Sequence, residues 1–308
     1  MSHIKRFTCA FFVLGAVILA VLVHSGPVQK AGGATESDDL GRISVLTFNI
    51  RFDHPGDGPN AWPHRREMVN QILSQDWQVI GLQEVLSHQL TEILDANPRF
   101  ASVGVGRDDG VLSGEVAPIL YDRSRFTVAQ AATFWLSDTP DEVASVSWDN
   151  VITRICTWAE LVDLDSRDSF WVYNTHWDHV GAKSRLESAK LISKHIESHA
   201  GSTSRVILMG DFNAGENSEP MKWFTQEAKG RKTFRHAFRA IHPEAEQVGT
   251  FHAWRGGTNG GMIDSVLVPF GVRVIDSGIN HWSEDGRYPS DHYPVWAEIE
   301  WEDSPNEN

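Results

Sequence analysis

The chain has 308 residues, enough for one large α/β domain or two ordinary ones. Hydrophobic residues make up 41%, which provides a sizeable core and excludes disorder as the default state. Acidic residues number 41 against 27 basic, a formal net charge of -14, so long-range attraction for duplex nucleic acid is excluded.

Lys5 and Arg6 precede an apolar run from Phe7 to Val23, followed by His24-Ser25-Gly26-Pro27. This is the pattern of a secretory signal. The run is slightly long for a signal and slightly short for a spanning helix. Residues 1–25 are therefore expected to direct export, to the periplasm or outside the cell, with an uncleaved outward-facing membrane anchor as the second reading. Residues 26–41 read as a flexible linker, 42–302 as one domain and 303–308 as a tail. Cys156 is the sole cysteine left after export, so an internal disulfide is excluded.

Within the domain, Ile43–Phe48 reads as a strand ending at Asn49, and 51–62 as a loop rich in Asp, Gly and Pro. Pro63 is placed to open a helix whose apolar positions are Met68, Val69, Ile72 and Leu73. Val79–Leu82 is a strand that delivers Gln83 and Glu84, and a helix follows from Ser87 to Asn97. Strands are expected over Ala117–Tyr121, Phe126–Phe134, Ile152–Leu161 and Phe170–Asn174, the last ending in Thr175-His176-Trp177-Asp178-His179. A helix runs from Gly181 to His199, with Leu186, Ala189, Ile192 and Ile196 on one face. The apolar run Val206–Met209 then ends in Gly210-Asp211-Phe212-Asn213, and a short helix spans Glu219–Thr225. Residues 226–262 read as irregular. Strands Met262–Val268, Val272–Ser277 and Tyr293–Trp301 close the chain, with Ser290-Asp291-His292 before the last.

Helices between strands in each half, with antiparallel stretches between, indicate an α/β fold of two packed sheets with helices outside. Each polar cluster follows a strand, so aligned sheets bring the clusters to one rim. The set contains Asn49, Glu84, His176, Asp178, Asp211, Asn213, Asp264, Asp291 and His292, rich in oxygen and free of thiolate. Such donors suit a hard divalent cation, Mg²⁺ or Mn²⁺. The groups beyond a metal shell suit phosphoester hydrolysis, which needs an activated water, neutralised phosphate charge and a proton for the leaving oxygen.

The ordered set Thr47-Phe48-Asn49-Ile50, Leu82-Gln83-Glu84, Asn174-Thr175-His176, Gly210-Asp211-Phe212-Asn213, Ile263-Asp264 and Ser290-Asp291-His292 resembles the endonuclease/exonuclease/phosphatase superfamily, over about residues 43–300. The intervening stretches around Trp62, Arg107 to Glu115, Arg154 and Trp254 resemble its bacterial, often exported branch near the nocturnin and deadenylase-like exonucleases. The resemblance implies a deoxyribonuclease-I-like four-layer αββα sandwich. It also implies Glu84 as principal metal ligand with Asn49 and Asp291 beside it, and Asp211 as the group that positions or deprotonates water. Asn213 would hold a phosphate oxygen, His176 would donate to a non-bridging oxygen, and His292 would face the phosphate with its tautomer fixed by Asp264.

Arg154 is a candidate clamp for a phosphate oxygen, or one half of an ordinary salt bridge. Trp62 and Trp254 are candidates to stack on a base or sugar. Asp178 belongs either to the substrate site or to the cap of the following helix. The implied activity is a metal-dependent phosphodiesterase or phosphatase acting as a monomer on a small molecule or short single strand. The other readings are a single-strand exonuclease or endonuclease, a sphingomyelinase-like headgroup phosphodiesterase, and a binding module that keeps the fold without catalysis.

Overall fold

The computed structural model describes residues 41–201, 205–227, 231 and 233–301. The N-terminal apolar run, the linker up to residue 40 and the tail 303–308 lie outside the described residues. The chain divides into two units, Met1–Thr35 and Glu36–Asn308, and every described residue belongs to the second.

Strands and helices follow in the order β1 (Arg42–Asn49), α1 (Arg66–Leu73), β2 (Val79–Gln83), α2 (Ser87–Ala96), β3 (Phe100–Val103), β4 (Ile119–Asp122), β5 (Phe126–Trp135), β6 (Ile155–Asp163), β7 (Ser169–His176), α3 (Ala182–His199), β8 (Val206–Asp211), α4 (Glu219–Thr225), β9 (Phe234–His236), α5 (Ala237–Ile241), β10 (Asp264–Pro269), β11 (Val272–Ile279) and β12 (Val295–Trp301). Two six-stranded sheets result, ordered β11-β12-β1-β2-β4-β3 and β5-β6-β7-β8-β10-β9. Each is mixed: β1–β2 and β7–β8 are parallel, and their neighbours are antiparallel.

Continuous apolar runs are what a strand buried on both faces requires. In β8, Ile207 and Met209 face the other sheet, whereas Val206 and Leu208 pack with Ile192 and Ile196 of α3. In β1 and β2, Val45 and Val79 join the core between the sheets, while Leu46 and Ile80 pack with Val69 and Ile72 of α1. Helix, sheet, sheet and helix thus stack as four layers, the expected αββα sandwich.

The differences from the expected elements are local. Pro63 lies in a 3-10 turn, Trp62–His64, and the α-helix starts only at Arg66. Within 226–262, β9 and α5 are present but only three and five residues long. Segments this short are fixed by tertiary pairing, here β9 against β10, rather than by periodicity.

Strand register decides where the site forms. Asn49 of β1 lies level with Gln83 of β2, and His176 of β7 level with Asp211 of β8. Asp264 opens antiparallel β10 directly opposite Asp211. The sheets are tied below this rim by a buried amide pair: Gln83 Nε2 donates to Asn174 Oδ1 at 2.7 Å, and Asn174 Nδ2 donates to the carbonyls of Leu82 and Pro118 at 2.8 Å.

Candidate active site

A cavity of about 400 Å³ opens at this rim, lined among others by Glu84, Glu115, Arg154, His176, Asp211, Asn213, Asp291 and His292. Backbone detail puts several of these in place. Gly210 has φ +152°, and a Cβ there would sit 2.1 Å from the Thr175 carbonyl oxygen. Only glycine lets β8 lie this close to β7 while delivering Asp211. Glu84 and Asn213 hold left-handed backbone, φ 59° and 45°, uncommon for side-chain-bearing residues and concentrated at functional positions.

Asp211 is the hub. Its Oδ2 accepts from Asn49 Nδ2 at 3.0 Å and lies 3.5 Å from His176 Nε2 and 3.9 Å from His292 Nε2. Its Oδ1 accepts the Asn213 backbone N–H at 2.9 Å. The same Asn49 amide nitrogen donates to Glu84 Oε1 at 3.0 Å, while its oxygen accepts the Arg51 N–H. Asn49 therefore presents nitrogen to the two carboxylates, and ligation through its oxygen requires the amide to turn.

Two carboxylate–imidazole pairs flank the hub. His292 Nδ1 and Asp264 Oδ2 are hydrogen-bonded at 2.9 Å, both buried. Burial pulls the His292 imidazolium down, but the Asp264 and Asp211 carboxylates outweigh it and hold its pKa up at about 10. Burial and the Asp264 charge push Asp211 up to about 7. One imidazolium serves two carboxylates here. His292 lies 2.9 Å from Asp264 but 3.9 Å from Asp211, and offsets only part of the burial of Asp211. On the other wall, His176 Nδ1 is 3.9 Å from Glu115 Oε2 and has no hydrogen-bond partner. Burial and the Arg154 and Arg107 guanidiniums push His176 well below the usual imidazole range.

Glu115 is a site residue that periodicity and the motifs did not single out as the His176 partner. It is held by a bidentate bond from Arg107, at 2.8 Å to each oxygen. The signal lay in the segment around Asp109, whose Oδ1 accepts three successive backbone N–H groups, from Val111, Leu112 and Ser113. Such a knot of Asx bonds fixes a loop that would otherwise be mobile.

Three candidate substrate residues fare differently. Arg154 lines the cavity; its Nη2 meets His179 Nδ1 at 3.0 Å, and its buried Nε and Nη1 have no hydrogen-bond partner. Asp178 is a correction: it is fully buried, and its carboxylate accepts the Val151, Val180 and Gly181 N–H groups and faces Arg154 at 3.7 Å. It structures the entry to α3 and is not a cavity residue. Trp254 is also absent from the cavity lining, its ring instead lying 5.5 Å from the Arg65 guanidinium. Trp62, buried and donating to Glu92, belongs to the core and cannot stack on substrate.

For a divalent metal, the donor chemistry fits. Glu84 and Asp291 offer carboxylate oxygens to the same cavity, and burial together with the Glu84 charge raises Asp291. A cation between them relieves that repulsion, and oxygen donors suit Mg²⁺ or Mn²⁺. Asp211, Asp264 and His292 form a tighter cluster, with ligand atoms within 4.8 Å of one another. There the His292 Nδ1 and Asp264 Oδ2 atoms already engage each other, so that trio is better suited to proton handling.

Comparison with known proteins places the chain in a family. A 33% identical structure from Bacteroides vulgatus, named an endonuclease/exonuclease/phosphatase, covers 85% of this chain and 99% of its own, with a TM-score of 0.79. A mannosyl-6-phosphatase from Bacteroides thetaiotaomicron is 30% identical over 83% of this chain and 99% of its own, with a TM-score of 0.74. The human nocturnin catalytic domain shares the fold at 19% identity, covering 85% of this chain and 95% of its own, with a TM-score of 0.67. With residues 46–292 matching the sequence model of the Endonuclease/Exonuclease/phosphatase family, the chain belongs to that family, whose members are phosphoester hydrolases.

Proposed function

We propose that this protein is a metal-dependent hydrolase of small phosphoesters, working outside the cytoplasm. The observation that carries the reading is Asp211, buried between His176 and His292 and bridged by Asn49 to Glu84.

Glu84 and Asp291 would hold Mg²⁺ or Mn²⁺, with Asn49 beside them. The ion supplies Lewis-acid neutralisation of phosphate charge. The remaining work belongs to the chain. Asp211 accepts the proton of the attacking water and is kept basic enough by its burial. Asn213, its amide nitrogen anchored to the Trp177 carbonyl at 2.9 Å, leaves its oxygen to orient that water or a protonated phosphate oxygen. His292, kept protonated by Asp264, donates to the charge developing on phosphorus-bound oxygen. Neutral His176 donates without adding charge, and Arg154 offers its unpartnered N–H groups to a phosphate oxygen.

The paired charges around a cavity of about 400 Å³ favour a small polar ester over a polynucleotide. The mannosyl-6-phosphatase neighbour supports placing sugar phosphates first. The test is hydrolysis of sugar phosphates, nucleotides, short oligonucleotides and phospholipids, with chelator and then with excess Mg²⁺ or Mn²⁺. Activity is expected to vanish in chelator and return with metal; undiminished activity in chelator sinks the metal role. Export is read from the run after Lys5-Arg6, and among the described residues no helix is long and apolar enough to cross a membrane. Mass spectrometry of the native protein checks it: a mature chain beginning beyond residue 24 is expected, and an intact Met1 on a cytoplasmic protein overturns it.

A further inference from the structure

Arg65 stands immediately before α1 and is only 1% exposed, although a guanidinium keeps its charge at neutral pH. A buried charge ordinarily pairs with an opposite one. Here the donors of the planar fork all meet main-chain carbonyls and, among the described residues, none meets a carboxylate. Nε donates to the Asn60 carbonyl at 2.8 Å. Nη1 donates to the carbonyls of Ile50 and, at 3.1 Å, Pro289. Nη2 donates to those of Arg51 and, at 3.5 Å, Phe52. The Trp62 and Trp254 rings lie 5.2 and 5.5 Å from the guanidinium carbon, within reach of a cation–π attraction. Burial pulls the Arg65 pKa down to about 10, and the Asp291, Asp57 and Glu84 charges oppose that pull.

The carbonyls belong to segments that carry the candidate metal holders. Ile50, Arg51 and Phe52 directly follow Asn49, and the Phe52 N–H donates to Glu84 Oε2 at 3.3 Å. Pro289 lies two residues before Asp291. Between them, Ser290 Oγ donates to the Asn49 carbonyl at 2.6 Å. The β1–β12 ladder stops at Thr47 and Val295, so strand pairing does not fix the two segments beyond it. Side chains do, and Arg65 is the one that binds both segments at once through a single rigid group.

We infer that Arg65 is a positioning residue for the metal end of the site: its guanidinium locks the segment after Asn49 to the segment before Asp291 and so sets the spacing of the oxygen donors that an ion must bridge. The inference rests on the reading of Glu84, Asn49 and Asp291 as the metal holders. Arg65 has no N–H left for a phosphate, which separates it from Arg154, whose Nε and Nη1 are unpartnered. Mg²⁺ demands near-ideal octahedral geometry at about 2.0–2.1 Å, so a small displacement of one carboxylate costs affinity. Lysine at this position keeps the charge but has no planar fork and too few donors to hold both segments.

The test is Mn²⁺ binding without substrate, followed by the electron paramagnetic resonance of the free ion. The parent is expected to bind Mn²⁺ in a site that Glu84→Gln removes. Arg65→Lys is expected to bind it roughly 10–100-fold more weakly, the usual cost of losing a group that orients metal ligands. Phe126→Leu is the control for stability: Phe126 is buried and pairs with Asp163, at the end of its sheet away from His176. It is expected to lower Tm and to leave Mn²⁺ affinity within about twofold. Arg65→Lys binding as tightly as the parent overturns the inference, and so does an equal loss in Phe126→Leu. If Arg65→Lys does not fold, Trp254→Leu takes its place by removing one ring from the guanidinium. Binding about two- to fivefold weaker is then expected, and unchanged binding overturns the inference. A parent that binds no Mn²⁺ removes the metal reading and the inference with it. Binding that needs Glu84 but ignores Arg65 leaves the metal reading standing and removes only the positioning role.

Discussion

The two walls of the cavity use the same pair of side chains to opposite ends. On one, Asp264 and His292 touch at 2.9 Å and the imidazole is held charged. On the other, Glu115 and His176 stand 3.9 Å apart and the imidazole is held neutral. Both rings are buried, so burial alone does not separate them. The difference lies in what reaches each ring. His292 donates a hydrogen bond to the Asp264 carboxylate, and the Asp264 and Asp211 charges outweigh its burial. His176 faces a carboxylate already clamped by Arg107, with Arg154 close by. At His176, burial and the Arg154 and Arg107 charges outweigh a carboxylate 3.9 Å away; at His292, two carboxylates outweigh burial.

The hub between the walls gives the largest expected effect. Asp211→Asn keeps the shape and removes the base, so kcat should fall about 10²–10⁴-fold at saturating Mg²⁺. A loss below threefold would mean that Asp211 is not the proton acceptor. Next comes the bonded pair. His292→Ala and the double change with Asp264→Ala should have similar kcat values, because groups acting as a unit are non-additive. Adding Asp211→Asn should lower the rate further unless it has reached its floor. Independent, additive losses would break the contrast between a coupled and an uncoupled wall.

The pH profile sharpens it further. Asp211 must be ionised to accept a proton, and its pKa is raised to about 7, so activity is present above that pH and lost below it. His292 must be protonated to donate, and its pKa is raised to about 10, so activity is lost above that pH. A bell between these limits is expected, its edges belonging to the coupled group. Added metal should move the acid edge lower, since a nearby cation favours the carboxylate; an edge that ignores metal counts against their proximity. The smallest effect is reserved for the open wall. Glu115→Gln should cost under about tenfold in kcat, since no hydrogen bond to His176 is lost in the resting enzyme. A loss matching His292→Ala would show the two walls to be equivalent.

Much of this was legible in the chain. The strands bearing Asn49, Glu84, His176 and Asp211 are apolar runs that end abruptly in polar residues, and their parallel pairing carries those ends to one rim. The misread residues share a cause. Asp178 and Trp254 have side chains suited to a site, but backbone N–H groups and Arg65 claim them, and those partners are set by tertiary placement. β9 and α5 are too brief to leave a period.

The bridge from Asn49 to Asp211 spans 162 positions, and Ser290 Oγ closes back onto the Asn49 carbonyl across 241. Contacts of such separation are made late, because loop closure must precede them. The hub is consequently unformed in any partly made chain: a polypeptide released before residue 290 lacks both the closing serine and His292. Recovery of hydrolysis after dilution from denaturant should therefore track the slowest refolding phase, and activity regained in the burst would show that the rim assembles before the sandwich closes. On the proposed export, a chain threaded unfolded through a membrane would be inert until it arrives.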